Sequence, residues 1–83
     1  MTQTFDFTIV IFNTSVEENE RIMTKLLDNG ANDTTIAHQF HHTFVNFCRE
    51  NDTLQKALMS SLDDLAKIDV TFVDAILIDR DGG

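Results

Sequence analysis

The chain contains no Trp, Tyr or Pro, only three Gly and a single Cys among its 83 residues. A lone cysteine excludes an intramolecular disulfide framework and is typical of a reducing compartment. Without Pro and with little Gly, the sequence has no low-complexity segment and little linker character. Because Trp and Tyr are missing, Phe, Leu and Ile must fill the core, and seven Phe suffice for one modest core. We therefore predict a single domain spanning residues 1–83.

Basic residues are also scarce: six Lys and Arg stand against 14 Asp and Glu, and the formal net charge is -8. Such a field repels nucleic acid and anionic lipid, so neither direct nucleic-acid binding nor membrane binding is expected. It attracts a basic partner protein, although acidity also serves solubility alone. No signal peptide is evident, and no uncharged apolar stretch reaches the ~18 residues that span a bilayer. We expect a cytoplasmic location.

The stretch FDFTIVIF, residues 5–12, predicts a central strand from about 4 to 12. A strand exposes alternate residues to opposite faces. One face is strongly apolar and takes Phe5, Phe7, Ile9 and Ile11. The other face is still apolar in part, since it takes Val10 and Phe12. This pattern favours a strand in the middle of a sheet.

The first helix is predicted over about 16–29. Ser15 and Glu18 form a capping-box pattern at its start, and Gly30 is expected to end it in the left-handed conformation. The apolar stripe consists of Val16, Ile22, Met23, Leu26 and Leu27.

The second helix is predicted over about 53–67, opened by Asp52 with Gln55 three residues later. Its apolar stripe consists of Leu54, Ala57, Leu58, Ser61, Leu62 and Leu65. An apolar last strand follows over about 70–78, and residues 79–83 are expected to form a short solvated tail.

Between the helices, TTIAHQFHHTFVNFCR predicts a hairpin with strands at about 34–40 and 43–49. Its core residues share one face only if cross-strand partners have numbers that sum to an odd value. A two-residue turn at 40–41 or at 41–42 satisfies this condition. The core face then takes Ile36, Val45 and Phe47, and the opposite face takes Ala37, Gln39, Phe44, Asn46 and Cys48.

The order strand, helix, strand, strand, helix, strand predicts an α+β fold. Each helix has one apolar stripe, so both can cover a single face of a four-stranded antiparallel sheet. Right-handed crossovers in the two halves give a ferredoxin-like βαββαβ sandwich. That arrangement leaves the second sheet face without helices.

The uncovered face is the predicted interaction face. It is expected to carry Val10, Phe12, Phe44, Cys48, Val73 and Leu77, although the parity of the last strand, Val73 or Phe72, is left open. Monomers rarely leave an apolar patch of more than a few hundred Å² in water. We therefore expect this face to form a homodimer or to dock another protein, unless a loop or the tail covers it.

Four segments resemble a family of small bacterial proteins of unassigned function: FDFTIVI, NGANDTTIA, FVNFCREN and TLQKALMSSLDDLAKI. The family combines a Tyr/Phe-Asp-Phe-Thr strand, an Ala-Gly-Cys-Asp-Asp-Ala turn, an Asp-Phe-x-Arg-Glu-Ala strand end and an Ala-rich second helix. The resemblance covers about residues 5–73, and its motifs are structural rather than catalytic. The matching positions are Asp6, Gly30, Asp33, Phe47, Arg49 and Glu50.

Longer members of that family append a helix-turn-helix DNA-binding segment, which the present sequence does not contain. The resemblance therefore implies a regulatory or pairing domain without a DNA-binding role, in agreement with the net charge of -8. Arg49 ends a strand among many acids, and we expect an ion pair with Asp33 or Asp6. An exposed pair of this kind contributes only about 0–1 kcal/mol.

His38, His41 and His42 lie within five residues and raise the hypothesis of a metal site. Zinc needs three or four converging ligands at about 2.0–2.3 Å, and no Cys or carboxylate lies near this turn in sequence. The alternative is a solvated turn whose histidines make a contact pH-sensitive. No cofactor is predicted.

Cys48 would need a histidine within hydrogen-bond reach to act as a nucleophile. His42 is about 20 Å away along an extended strand, at ~3.3 Å per residue. The hairpin places Cys48 opposite Asp33 or Thr35 instead, so we interpret it as a small apolar filler. No phosphate-binding glycine loop, nucleophile elbow or carboxylate pair is present, and no enzymatic activity is predicted.

Three functional hypotheses follow. The first is a non-catalytic, regulatory protein-interaction module that uses the uncovered sheet face. The second is an acidic inhibitor, such as an antitoxin or a nucleic-acid mimic of the phage type, that blocks a basic site on a partner. The third is a small-ligand or metal sensor that uses the histidine turn and would be stabilised by its ligand.

Overall fold

The computed structural model describes residues 2–31 and 33–80. It is an α+β fold with four antiparallel strands in one open sheet and two helices. The elements are β1 (Gln3–Ile11), α1 (Val16–Asp28), β2 (Thr34–Gln39), β3 (His42–Asn51), α2 (Leu54–Lys67) and β4 (Ala75–Arg80). The strand order is β2-β3-β1-β4, and each neighbouring pair is antiparallel. The predicted order of elements is confirmed, with β1 and β3 in the middle of the sheet.

The hydrophobic core lies between the sheet and the two helices. Phe7 stands opposite Phe47 and Ile9 opposite Val45, so the core parity predicted for β1 and β3 is confirmed. The Phe7 and Phe47 rings stack with their centroids 5.6 Å apart. The helices and the α2–β4 connection complete the buried cluster with Ile22, Leu26, Ala57, Leu65 and Ile68.

The hairpin turn consists of Phe40 and His41, with Gln39 opposite His42. This is one of the two predicted turns, and the predicted odd register is confirmed. Both turn residues have positive φ, 53° and 62°, as a type I′ turn requires. Asn-Gly is the usual pair in such a turn, so a bulky Phe at this φ is an outlier.

The ends of α1 follow the predicted cap chemistry. The Glu18 amide donates to Ser15 Oγ at 3.0 Å, and the Ser15 amide donates to Glu18 Oε1 at 3.3 Å. Gly30 has φ 81° and ends the helix in the left-handed conformation. The predicted apolar stripe is only half correct, because Ile22 and Leu26 are buried while Val16 and Leu27 are exposed. Adjacent helical residues point about 100° apart, so a stripe five residues wide cannot all face the sheet.

The N-cap of α2 is Thr53 rather than the predicted Asp52. Thr53 has extended backbone, and its Oγ1 accepts a hydrogen bond from the Lys56 amide at 3.1 Å. The helix begins at Leu54, so the capping position falls one residue later than expected. Asp52 instead lies 3.7 Å from Lys56 Nζ, in an exposed ion pair.

The last strand starts later than predicted, at Ala75 rather than at residue 70. Val70 cannot open a strand because its amide donates to the Leu65 carbonyl at 2.9 Å, closing the end of α2. Val73 packs against the core cluster and is therefore not on the open face, contrary to the prediction. At the end of the connection, the Asp74 carboxylate accepts a hydrogen bond from the Phe12 amide at 2.7 Å. Strand β4 runs to Arg80, and residues 81–83 of the predicted tail lie outside the described residues.

Asp69 occupies a backbone position that favours glycine, since its φ is 66°. Its amide donates to the Ala66 carbonyl at 3.1 Å, in the motif that closes α2. We expect Asp69→Gly to raise the free energy of unfolding by about 1 kcal/mol, because a Cβ in this conformation costs ~1–2 kcal/mol. Urea denaturation measures the change. Asp69→Ala removes the same carboxylate but keeps the Cβ, so an equal gain in both variants would contradict the backbone explanation.

Candidate interaction surface

The sheet face opposite the helices carries one row of apolar residues across all four strands. The register aligns Ala37, Phe44, Val10 and Ala75 on β2, β3, β1 and β4. Leu77 lies on the same face, opposite Thr8, in the next row. Phe12 adjoins the row on its other side, with its ring 4.6 Å from that of His42. We call these six apolar residues the open-face patch: Val10, Phe12, Ala37, Phe44, Ala75 and Leu77.

Accessibility is uneven across the open-face patch. Phe12 and Leu77 are 44% and 52% exposed, whereas Val10 is only 4% exposed. Val10 lies at the centre of the sheet, with Phe44 on one side and Ala75 on the other. It is on the predicted face, but its neighbours cover it. A partner would therefore contact mainly Phe12 and Leu77, and to a lesser extent the half-buried Phe44 on β3.

The remainder of the open face is polar. Asn46 Nδ2 donates to Asp6 Oδ1 at 2.8 Å and to Thr8 Oγ1 at 3.1 Å. This amide, rather than Arg49, is the partner of Asp6. Cys48 lies on this face as predicted, but it is exposed and so does not act as an apolar filler. The open face is therefore apolar toward one end of the strands and polar toward the other.

The three histidines do not converge on a metal site. His38 Nε2 donates to the Thr14 carbonyl at 2.9 Å, and the Thr14 amide donates to the His41 carbonyl at 2.8 Å. His42 Nδ1 accepts a hydrogen bond from the Asn13 amide at 3.3 Å. Across residues 2–31 and 33–80, no three His, Cys, Asp or Glu side chains form a group suited to a metal ion. The histidines instead attach the β1–α1 turn to the hairpin, a role that the sequence did not indicate.

A second polar cluster lies on the helix side of the sheet, around Arg49. Its guanidinium donates to both carboxylate oxygens of Asp33 at 2.7 and 2.9 Å, and to Asp64 at 2.8 Å. The pairing with Asp33 was one of the two predicted options, whereas Asp64 and Ser60 were missed. Only 13% of the Arg49 side chain is exposed, so this is not the exposed pair expected from the sequence.

The charges in this cluster reinforce each other. The hydrogen bonds from Arg49 hold the pKa of Asp33 below its ordinary value of 3.8. The hydrogen bond to Asp33 likewise raises the pKa of Arg49, against the opposing effect of burial. The guanidinium also lies 4.9 Å from the centre of the Phe47 ring. Four positions that carry the family resemblance, Gly30, Asp33, Phe47 and Arg49, thus serve the turn, core and ion cluster.

Two shallow depressions flank the connection between α2 and β4. Their volumes are about 470 and 380 Å³. The larger is bounded by the end of α2 and by residues 70–73, and it contains one ionisable side chain, Asp63. Phe72, which borders both, is 71% exposed. Neither depression gathers the histidines of the hairpin.

Comparison with known proteins gives no match to a protein-family model, to a curated protein or to a solved structure. Within the described part of the chain, neither helix is long and apolar enough to cross a membrane.

Proposed function

We propose that this chain is a non-catalytic protein-interaction module that docks a partner through the open-face patch. The observation that carries the proposal is the uninterrupted apolar row across four strands, flanked by two exposed apolar side chains, Phe12 and Leu77. A joined apolar surface with a polar rim is typical of protein–protein contact sites. The polar half of the face, with Asp6 and Asn46, supplies that rim.

We also propose that the fold is ferredoxin-like. Support comes from the strand order β2-β3-β1-β4, in which each strand–helix–strand half encloses a strand of the other half. The proposed setting is cytoplasmic, as the single cysteine indicates, and regulatory, as the resemblance to the small bacterial family implies. The partner is then a protein, either a second copy or a basic protein attracted by the net charge of -8.

Phe12→Ser is expected to weaken docking about tenfold, because the ring is half-exposed in the free chain and would be desolvated by a partner. Quantitative capture of cell proteins on the immobilised chain detects the loss, and sedimentation equilibrium detects it as well if the docked partner is a second copy held on the open face. Phe12 lies after the end of β1 and its side chain is outside the core, so the variant is expected to fold.

Met59→Ser is the matched control, since Met59 is 59% exposed but lies on α2, away from the open face. It should behave as the unmodified chain in both measurements. If Phe12→Ser also leaves both unchanged, the open-face patch is not a docking surface.

The acidic-inhibitor hypothesis remains a second candidate, favoured by the charge distribution. Glu17, Glu20, Asp28 and Asp63 are exposed on the two helices, opposite the side that packs on the sheet. A partner bound there would depend on charge, and its affinity would fall steeply as salt is raised. A partner bound to the open-face patch would depend little on salt but strongly on Phe12. Measuring how binding depends on salt and on Phe12 therefore distinguishes an acidic inhibitor from a module that docks through the open-face patch.

A further inference from the structure

Strand β4 is an edge of the sheet with apolar side chains on both of its faces. Among residues 2–31 and 33–80 its one partner strand is β1, so within this part of the chain the outer edge of β4 has no strand paired to it. Ile76 and Ile78 point to the helix side but remain 37% and 50% exposed, and Leu77 on the open face is 52% exposed. Neither helix covers this edge fully.

Along its first four residues, the edge also lacks the devices that normally prevent pairing with another chain; the charged residues of β4 are its last two, Asp79 and Arg80. Such edges usually carry a Lys or Pro, or a bulge that bends the strand away. Residues 75–78 read Ala-Ile-Leu-Ile, without charge or proline. The irregularity in the β1–β4 register lies farther along, at Asp6 and Phe7. The opposite edge, β2, differs because Ile36 is its one large apolar residue and packs against the core.

We propose that β4 pairs edge to edge with β4 of a second copy, in antiparallel orientation. This inference goes beyond the proposed function, because the second copy is held at the backbone edge of β4 and not on the open-face patch. A two-fold axis perpendicular to the sheet joins the two four-stranded sheets into one of eight strands. The same operation places the two open-face patches side by side on one surface, because antiparallel pairing keeps each face of the sheet continuous.

Charge favours this edge as the contact between two copies. Each chain carries a net charge of -8, so two copies repel one another wherever acidic surfaces meet. The Ala75–Ile78 stretch carries no charge of its own, so repulsion in this contact is confined to the flanking Asp74 and Asp79. A contact of four residues from each copy lies below the ~1,200 Å² of a standard specific interface, so the dimer should be of modest affinity. Added salt should strengthen it by screening the repulsion.

The register follows from the side chains. Symmetric pairing that keeps each face continuous must set a residue opposite itself. Centring the axis on Leu77 places Leu77 opposite Leu77 of the second copy, and Ile76 opposite its Ile78. Centring it on Ile76 would set Asp74 opposite Ile78, and centring it on Ile78 would set Leu77 opposite Asp79. The Leu77-centred register therefore gives apolar pairs without an acid opposite an isoleucine or leucine.

Disulfide trapping tests this register. In a Cys48→Ser background, an equimolar mixture of Ile76→Cys and Ile78→Cys chains is expected to form a cross-linked dimer on mild oxidation. Opposed residues of antiparallel strands have Cα atoms ~4.5–5.5 Å apart, within reach of a disulfide. Leu77→Cys alone should also cross-link. Ile76→Cys alone and Ile78→Cys alone are the controls and should stay monomeric on a denaturing gel, because each cysteine faces an isoleucine.

Both isoleucines face the helix side, so stacking of two open faces cannot cross-link them. If Thr8→Cys chains cross-link and the mixture of Ile76→Cys and Ile78→Cys chains does not, the two copies stack through their open faces. That result would overturn edge pairing and leave the proposed function standing. A monomer by sedimentation at about 100 μM and high salt would overturn pairing with a second copy. Loss of docking in Phe12→Ser is a separate result, so the two proposals fail independently.

Discussion

Replacing Arg49 with Met is expected to lower the free energy of unfolding by about 2–4 kcal/mol, because two carboxylates lose their shared hydrogen-bond donor. Asp33 and Asp64 belong to different parts of the chain, the β2 entry and α2, and Arg49 pairs with both of them. Without the guanidinium, the two carboxylates face each other in a half-buried site. Methionine keeps most of the aliphatic volume over Phe47, so the loss measures the charge and not the packing. Chemical denaturation gives the value.

Two further variants bracket this result. Arg49→Lys keeps the charge but loses the two-point contact with Asp33, so it should fall between Met and the unmodified chain. Lys56→Met breaks an ion pair whose side chains are 62% and 56% exposed, and it should change stability by less than about 0.5 kcal/mol. If Arg49→Met is as mild as Lys56→Met, the Arg49 cluster is a surface pair and its assigned role is wrong.

The contribution of the Arg49 cluster also depends on pH, with a sign set by Asp33. The pKa of Asp33 is lowered in the folded chain by the hydrogen bonds from Arg49, so the folded state favours the carboxylate. The stabilisation is therefore complete well above the ordinary value of 3.8 and is lost as the pH falls below it. The stability difference between the unmodified chain and Arg49→Met should shrink over that acidic range and stay constant near neutrality.

Phe47→Ala is expected to cost about 3–5 kcal/mol and to leave an 83-residue chain largely unfolded at room temperature. Phe47 is fully buried on β3, stacks on Phe7 and supports the Arg49 guanidinium. Its removal therefore opens a cavity at the point where the core meets the ion cluster. Circular dichroism at increasing urea concentration would show the loss.

Phe40→Ala provides the comparison for Phe47→Ala. Phe40 has the same side chain but is 83% exposed at the hairpin turn, so its truncation should change stability by less than about 0.5 kcal/mol. Equal losses in the two variants would mean that the turn, not the core, limits stability.

Most of the architecture could be predicted from the sequence because its signals are local and periodic. Alternation along β1 identifies Phe7 and Ile9 as core residues, since a strand presents every second residue to the same side. The hairpin register followed from the parity that buries Val45 and Phe47 together. Ser15 and Gly30 predict the ends of α1, because capping depends on hydrogen bonds and backbone angles within a few residues and not on a distant part of the chain.

Features that depend on distant contacts could not be predicted in the same way. Helical spacing places Asp64, seven residues after Ala57 and three after Ser61, beside the buried stripe of α2. That it meets Arg49 follows only from the way α2 folds back over β3. The sequence predicts a start of β4 that is too early, because Val70 and Val73 are apolar and β-branched like strand residues. In the structure they pack against the core from the irregular segment before β4. Thr14 joins the hairpin through Thr43, with their hydroxyl oxygens 2.7 Å apart, across 29 residues of chain.

The strand order also bears on how the chain reaches its fold. β1 is first in sequence but is flanked by β3 and β4, so both of its neighbours are made from residues 42 onward. The β2–β3 hairpin is the one pair of strands joined by a short turn. In every other pair the two strands are separated by a long stretch of chain. The entropy of closing that loop is lost before the strands make any contact, which slows folding. The apolar strand β1 therefore has no partner strand until β3 is present, and the sheet is complete only when β4 joins its other side.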